Sequence, residues 1–153
     1  DTPCLKQLVG AHEEVGGHVV AVIDVPREET NRYGILDVTR DDGRLAAAKG
    51  LVEKPAPREA PSTLSIIGRY VLDPQVLREL GRQTPGKGGE IQLTDAMART
   101  IPQVPFHGLR FEGTRYDCGN KAGYVAATVA FALDHPETRE ETSDLIRRLA
   151  AKL

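Results

Sequence analysis

The chain has 153 residues, with 20 Lys and Arg against 22 Asp and Glu, and is 40% hydrophobic and 27% charged. That composition supplies a core for a globular domain, and a net charge of −2 lacks the basic excess that nucleic acid or an anionic membrane attracts. Trp is absent, so base-stacking platforms are not expected, and no apolar run approaches the ~18 residues that cross a bilayer.

The opening Asp1-Thr2-Pro3 reads as neither an initiator Met nor a secretory leader, so the chain is expected either to be processed or to begin inside a longer protein. Asp1 or Thr2 is placed to cap a first helix whose first turn holds Pro3. Leu5, Leu8, Val9, His12 and Val15 recur at three and four, predicting one apolar stripe. Gly16-Gly17 ends this helix. His18 to Asp24 is rich in β-branched residues and nearly all apolar, as a strand covered on both faces requires. A helix feeding such a strand is half of a parallel βαβ unit, whose first strand is expected before residue 1.

Pro26 to Arg32 reads as a polar connector. A strand opens at Tyr33-Gly34 and runs through Val38. Asp41-Asp42-Gly43-Arg44 reads as a hairpin turn, and the return strand reaches Glu53 before Lys54-Pro55 stops it. A proline-marked loop precedes a core strand over 64–72. Asp73-Pro74 opens a short helix containing Val76, Leu77 and Leu80. A glycine-rich loop spans 81–89, a helix 92–100 and a strand 104–111. An alanine-rich helix follows over 121–133. The final amphipathic helix carries Leu145, Ile146 and Leu149 on one face. Alternating strands and helices with an inserted β-hairpin indicate an α/β fold.

Gly81 to Lys87 has the G-x-x-x-x-G-K spacing of a phosphate-cradling loop. Gly88 stands where a magnesium-holding Ser or Thr belongs, and a helix precedes it rather than a strand, so a plain connector is favoured. The four histidines show no ligand spacing, and a transition-metal site is not expected. Cys4 and Cys118 make no disulfide framework, which favours a reducing cytoplasm; Cys118 is expected to be a small buried residue. Val52-Glu53-Lys54-Pro55 reads first as a solvated charge pair at a strand end, the two side chains on opposite faces if fully extended. Its functional reading is a carboxylate that accepts from sugar hydroxyls beside an ammonium that meets a phosphate. In Arg115 to Lys121, Gly119 supplies a bend and Asn120 a helix cap; Asp117 is a candidate metal ligand or sugar contact on a strand-end loop.

Five stretches in this order resemble one family: Tyr33-Gly34-Ile35; Val52-Glu53-Lys54-Pro55; Ile67-Gly68-Arg69-Tyr70-Val71-Leu72; Gly89-Glu90-Ile91-Gln92-Leu93-Thr94-Asp95-Ala96; and Tyr116-Asp117-Cys118-Gly119-Asn120-Lys121. They are similar to the bacterial UTP–glucose-1-phosphate uridylyltransferases. The resemblance implies a Rossmann-like nucleotide-sugar pyrophosphorylase sandwich, incomplete here. Residues 1–153 are expected to be the C-terminal, sugar-phosphate-binding part of a single nucleotidyltransferase domain, with the glycine-rich nucleotide loop elsewhere.

The implied reaction joins UTP and glucose 1-phosphate into UDP-glucose and pyrophosphate, with Mg2+ as cofactor. The resemblance further implies that Gly34 meets the sugar through its backbone, Glu53 binds glucose hydroxyls and Lys54 binds the sugar's phosphate. Asp117 would lie near magnesium or the sugar, and Ile66 and Tyr70 would line the pocket. Glu90 and Asp95 receive no chemistry. Thr63 stands where family members often carry Asn. A homo-oligomer is expected, with the last two helices as interface elements. The alternatives are a non-catalytic regulatory or oligomerisation module derived from such an enzyme, and a thymidylyltransferase relative.

Overall fold

The computed structural model describes residues 2–82 and 91–152. The chain divides into two compact units, Asp1–Gly113 and Thr114–Leu153. The first unit opens with α1 (Cys4–Val15) and β1 (His18–Asp24), then a 3₁₀ turn over Arg27–Arg32. The hairpin β2 (Gly34–Asp41) and β3 (Leu45–Glu53) follows, then β4 (Leu64–Val71), α2 (Gln75–Arg82), α3 (Leu93–Thr100) and β5 (Phe106–Arg110). The second unit holds α4 (Lys121–Asp134) and α5 (Arg139–Ala150). Among the described residues no helix is long and apolar enough to cross a membrane.

The strands close in the order β1-β4-β2-β3-β5, with β5 returning to β1. The β1–β5 pairing is parallel, in the register His18 to Phe106, and the other pairings are antiparallel. β1 is covered on both faces, and its alternation feeds two cores. Val19 and Ala21 meet Leu8 and Ala11 of α1, with Leu109. Val20 and Val22 face Leu36, Leu64, Ile66 and Phe106, covered by Val76 of α2 and Ala96 and Met97 of α3. Gly108 on β5 permits this closeness, because a Cβ there would come within 2.7 Å of the Leu36 side chain.

The hairpin turn forms at the predicted place. Asp42 Oδ1 accepts from the Arg44 and Leu45 N–H groups, and Asp41 Oδ1 from Gly43 N. Arg110 ties this tip to β1: its guanidinium reaches Asp24 at 2.7 Å and Asp41 at 2.8 Å. The Arg110 hydrogen bonds, then the Gly43 N–H, hold the Asp41 carboxyl below the usual carboxylate range. The hairpin register runs Gly34 to Glu53, Ile35 to Val52 and Leu36 to Leu51, with irregularities between Asp37 and Val38 and between Val38 and Arg40.

Local predictions need three corrections. Pro3, rather than Asp1 or Thr2, occupies the α1 cap position, and no side chain caps it. The buried line of α1 is Leu8 and Ala11, flanked by Cys4 and Val15, whereas Leu5 and Val9 are exposed. The line 4-8-11-15 follows the 3.6-residue period, and the small Ala11 lets the helix sit close on β1. The segment read as a connector after Pro26 is a 3₁₀ turn closed by Glu29 N to Pro26 O. Asp73 opens α2 as expected, its Oδ1 accepting from Gln75 N at 2.8 Å. The phosphate-loop look-alike from Gly81 falls largely outside the described residues, with only Gly81 and Arg82 visible as the end of α2.

In the second unit, Asn120 caps α4 as predicted, its Oδ1 accepting from Gly123 N at 2.7 Å. Gly123 is required, since a Cβ would collide with the Asp117 carbonyl. α5 buries none of its residues; Leu145 and Leu149 are exposed, as are Tyr124, Val125 and Phe131 on α4.

Candidate functional site

The site begins with a turn in the chain. The 3₁₀ turn ends at Tyr33, whose N–H donates to Thr30 O and whose carbonyl accepts from Lys54 N at 2.9 Å. That bond zips the start of β2 onto the end of β3 and sets Gly34 opposite Glu53. Opposed residues of an antiparallel pair project from the same face. Gly34 and Glu53 therefore share a face with Leu36 and Leu51 and stand at the rim of the core beneath α2 and α3.

Above Gly34 lies a pocket of ≈ 270 Å³. Four of the residues named from sequence line it: Gly34, Glu53, Ile66 and Tyr70. A Cβ on Gly34 would stand 3.2 Å from Glu53 Oε2, 3.5 Å from Thr94 Cγ2 and 3.6 Å from Ile66 Cδ1. Glycine there keeps the floor open. Burial, and then the nearby Glu53 carboxylate, push the Tyr70 hydroxyl above its ordinary value, so it stays protonated as a donor and acceptor. The pocket thus joins an apolar wall to a carboxylate that only accepts and a phenol that does both.

Lys54 stands beside the pocket with its head in solvent. Its φ is +46°, the only positive φ of a non-glycine residue among those described. The strand breaks there, and the side chain swings back instead of leaving on the opposite face. Nζ lies 3.6 Å from Glu53 Oε1. The expectation of opposite faces assumed an extended chain, and the left-handed backbone at Lys54 removes that assumption. A residue held in this region marks a segment over-determined by its surroundings, here the Tyr33 bond and the following Pro55.

The first turn of α3 and the residue before it complete the lining with Gln92, Leu93 and Thr94, and Arg32 and Tyr33 add the other rim. Sequence reading missed these as individuals. Gln92, Leu93 and Thr94 fall within the stretch from Gly89 to Ala96, whose two acids are its more conspicuous side chains. Asp95 lies exposed in α3, and Glu90 lies outside the described residues. Thr63 contributes its backbone carbonyl to Val25 N at 3.0 Å and does not line the pocket.

In the second unit, Asp117 Oδ1 accepts from Gly119 N at 3.0 Å, and Oδ2 lies 3.6 Å from Arg115. The Asp117 carbonyl accepts from Asn120 Nδ2. Among the described residues no group of three or more His, Cys, Asp or Glu side chains is gathered for a metal. Asp117 is one carboxylate with spare lone pairs, which fits Mg2+, an ion commonly held by one or two carboxylates together with substrate phosphates and water. Cys118 is exposed, against expectation. Its neighbours Gly119 and Asn120 are exposed as well. A larger depression of ≈ 710 Å³ follows α5, but that helix alone lines it, so it encloses nothing.

The five strands close into one barrel, and the pocket lies where β2 begins and β3 ends. The nucleotidyl transferase family profile matches residues 2–132, and the chain belongs to that family. The UTP–glucose-1-phosphate uridylyltransferase of Komagataeibacter xylinus is 61% identical over 118 residues, covering 77% of this chain and 42% of that protein. A solved UDP-glucose pyrophosphorylase complexed with UDP-glucose superposes with a TM-score of 0.78 at 34% identity, covering 88% of this chain and 52% of the other. A UTP-bound UGPase from Acinetobacter baumannii gives a TM-score of 0.79 at 35% identity, covering 94% and 50%. The chain spans about half the length of these relatives.

Proposed function

We propose that this chain supplies the sugar-phosphate side of a UTP–glucose-1-phosphate uridylyltransferase, as part of a longer protein. The observation that carries the reading is the Gly34–Glu53 pair with Lys54 turned back beside it. A carboxylate above an open glycine floor accepts hydrogen bonds from vicinal hydroxyls. An ammonium 3.6 Å away meets the phosphate on the same small molecule. The relatives named for this reaction support the choice of substrates.

In the proposed reaction a phosphate oxygen of glucose 1-phosphate attacks the α-phosphorus of UTP, and pyrophosphate departs with the electrons of the broken P–O bond. Little covalent work falls to the protein, so positioning and charge are the main levers. Glu53 fixes the sugar ring through its hydroxyls. Lys54 neutralises part of the charge on the attacking phosphate and holds it in place. Tyr70 and Ile66 close the wall around the ring and exclude water. Asp117 is the carboxylate that would hold magnesium, which would supply neutralising charge. A cytoplasmic location and a homo-oligomeric assembly belong to the same proposal.

The test is titration of α-D-glucose 1-phosphate, and separately of UTP, into the 153-residue chain and its Lys54→Ala variant. Sugar-phosphate binding that weakens with the variant, with UTP binding and pyrophosphate release absent, is the expected result. A chain that binds UTP but not glucose 1-phosphate would overturn the assignment.

A further inference from the structure

Two buried side-chain polar atoms among the described residues lack a hydrogen-bond partner: Thr94 Oγ1 and His107 Nδ1. Thr94 lines the Glu53 pocket. Its γ-methyl lies 3.5 Å from where a Gly34 Cβ would stand, and its hydroxyl is buried without a partner. An apolar group presented to a polar pocket, with a polar group buried without a partner, is the unfavourable way to seat a threonine.

Threonine in a helix divides between two χ1 wells, because its hydroxyl can bond a carbonyl of the preceding turn. Thr94 is the second residue of α3 and makes no such bond. A rotation of about 120° about χ1 moves the hydroxyl into the pocket without displacing the backbone. There it faces the same space as Glu53 Oε2. The two groups are complementary: the carboxylate only accepts, and the hydroxyl can donate. One sugar hydroxyl donates a hydrogen bond to Glu53, and a neighbouring sugar oxygen accepts one from the Thr94 hydroxyl.

We propose that Thr94 is a specificity-determining residue of this pocket, its hydroxyl rotating on binding to bond a second hydroxyl of the sugar beside the one held by Glu53. The proposal rests on the sugar-phosphate reading above and adds a residue to it. It explains why a hydroxyl is tolerated without a partner in the free protein: binding is the event that satisfies it.

The experiment compares the 153-residue chain with Thr94→Val, Thr94→Ser and Glu53→Gln by calorimetric titration of α-D-glucose 1-phosphate and its monodeoxy analogues. Valine matches threonine in shape and removes the unmet hydroxyl, so its melting temperature should not fall. Its affinity for glucose 1-phosphate should drop about tenfold, the scale of one lost hydrogen bond. It should also lose discrimination against one deoxy analogue, while Thr94→Ser keeps both properties. Unchanged affinity in Thr94→Val, with binding weakened in Glu53→Gln, would overturn the role of Thr94 and leave the pocket reading intact. A wild-type chain that binds no sugar phosphate would overturn both.

Discussion

His18 Nε2 lies 2.8 Å from Thr100 Oγ1, a bond that joins the first residue of β1 to the last residue of α3. The opposite nitrogen, Nδ1, accepts from Asp73 N at 3.1 Å, so Nε2 carries the proton and donates to the threonine. The Thr100 hydroxyl in turn donates to Met97 O at 2.8 Å. The ring is fully buried, with Phe106 edge-on. One imidazole thereby fastens β1 to the start of α2 and the end of α3. The other end of α3 carries Thr94 into the pocket.

Thr100→Val should leave the Nε2 proton of His18 buried without an acceptor. The expected loss is about 1–3 kcal/mol of stability, the cost of an unsatisfied buried donor. Urea denaturation at neutral pH measures it. A change near zero would mean the ring finds another acceptor.

Acid should weaken the same junction. Burial, above all, lowers the His18 value, with Asp73 opposing and His12 adding to the shift. The folded protein therefore holds the ring neutral, while the unfolded chain takes up a proton near pH ~6.5. Below that pH the unfolded state binds more protons, so stability falls as pH falls, until the folded ring itself is protonated. His107 shifts in the same direction through burial and adds a background slope. Denaturation at pH 7.5 and pH 5.5 should show a smaller loss in His18→Gln than in the wild type. Equal losses would assign the slope to His107 alone.

Gly34→Ala places a methyl 3.2 Å from Glu53 Oε2, inside the pocket. Gly34 does not use a positive φ, so the strand accepts alanine. Affinity for glucose 1-phosphate should fall roughly tenfold or more, with stability changed by less than about 1 kcal/mol. Parallel calorimetry and thermal melts separate the two effects. A stability loss matching the affinity loss would point to misfolding instead of obstruction.

At Lys54 two substitutions should reverse their usual order. Lys54→Ala and Lys54→Gly both remove the ammonium and should weaken sugar-phosphate binding alike. The backbone sits at φ +46°, where glycine is at ease and alanine is not. The glycine variant should be the more stable by about 1 kcal/mol, although glycine ordinarily costs stability in regular structure. Denaturant midpoints of the two variants give the comparison directly.

Arg110→Lys keeps the charge between Asp24 and Asp41 but cannot form two forked pairs at once. A loss of about 1 kcal/mol is expected, and it should shrink little in salt because Arg110 is only 26% exposed. Melts at low and high ionic strength distinguish this from a loose surface pair.

Much of this architecture is legible in the sequence because local chemistry and tertiary context agree. The apolar run of β1, the Asp-rich turn before Leu45, the Asp73 opening of α2 and the Asn120 cap each state their structure in a few residues. Gly34, Glu53, Ile66 and Tyr70 were named by likeness of short stretches, and the fold gathers them at one pocket. What the sequence hides depends on long-range geometry. Leu5 and Leu8 look alike on paper, and only the approach of β1 decides which is buried. The +46° φ of Lys54 goes with a bond to Tyr33, 21 residues earlier in the chain, as well as with the proline that follows it. Thr94 is an ordinary helix residue until Gly34 comes near, and Cys118 sits in a turn whose next two residues are exposed with it.

The hairpin register carries one more consequence. Only Glu53, among the residues ending β3, faces the pocket, and side chains alternate along a strand. A slip of one residue between β2 and β3 would bring Val52 or Lys54 opposite Gly34, taking the carboxylate out of the pocket and turning the other side chains of the slipped strand to the opposite face. The pinned tip at Arg110 and the Tyr33–Lys54 bond stand at the two ends of this ribbon, and the irregular pairings around Val38 lie between them. Single-residue insertions should therefore be tolerated between the tip and Val38, where a bulge can absorb them. The same insertion between Leu51 and Glu53 should erase sugar recognition in a protein that still folds.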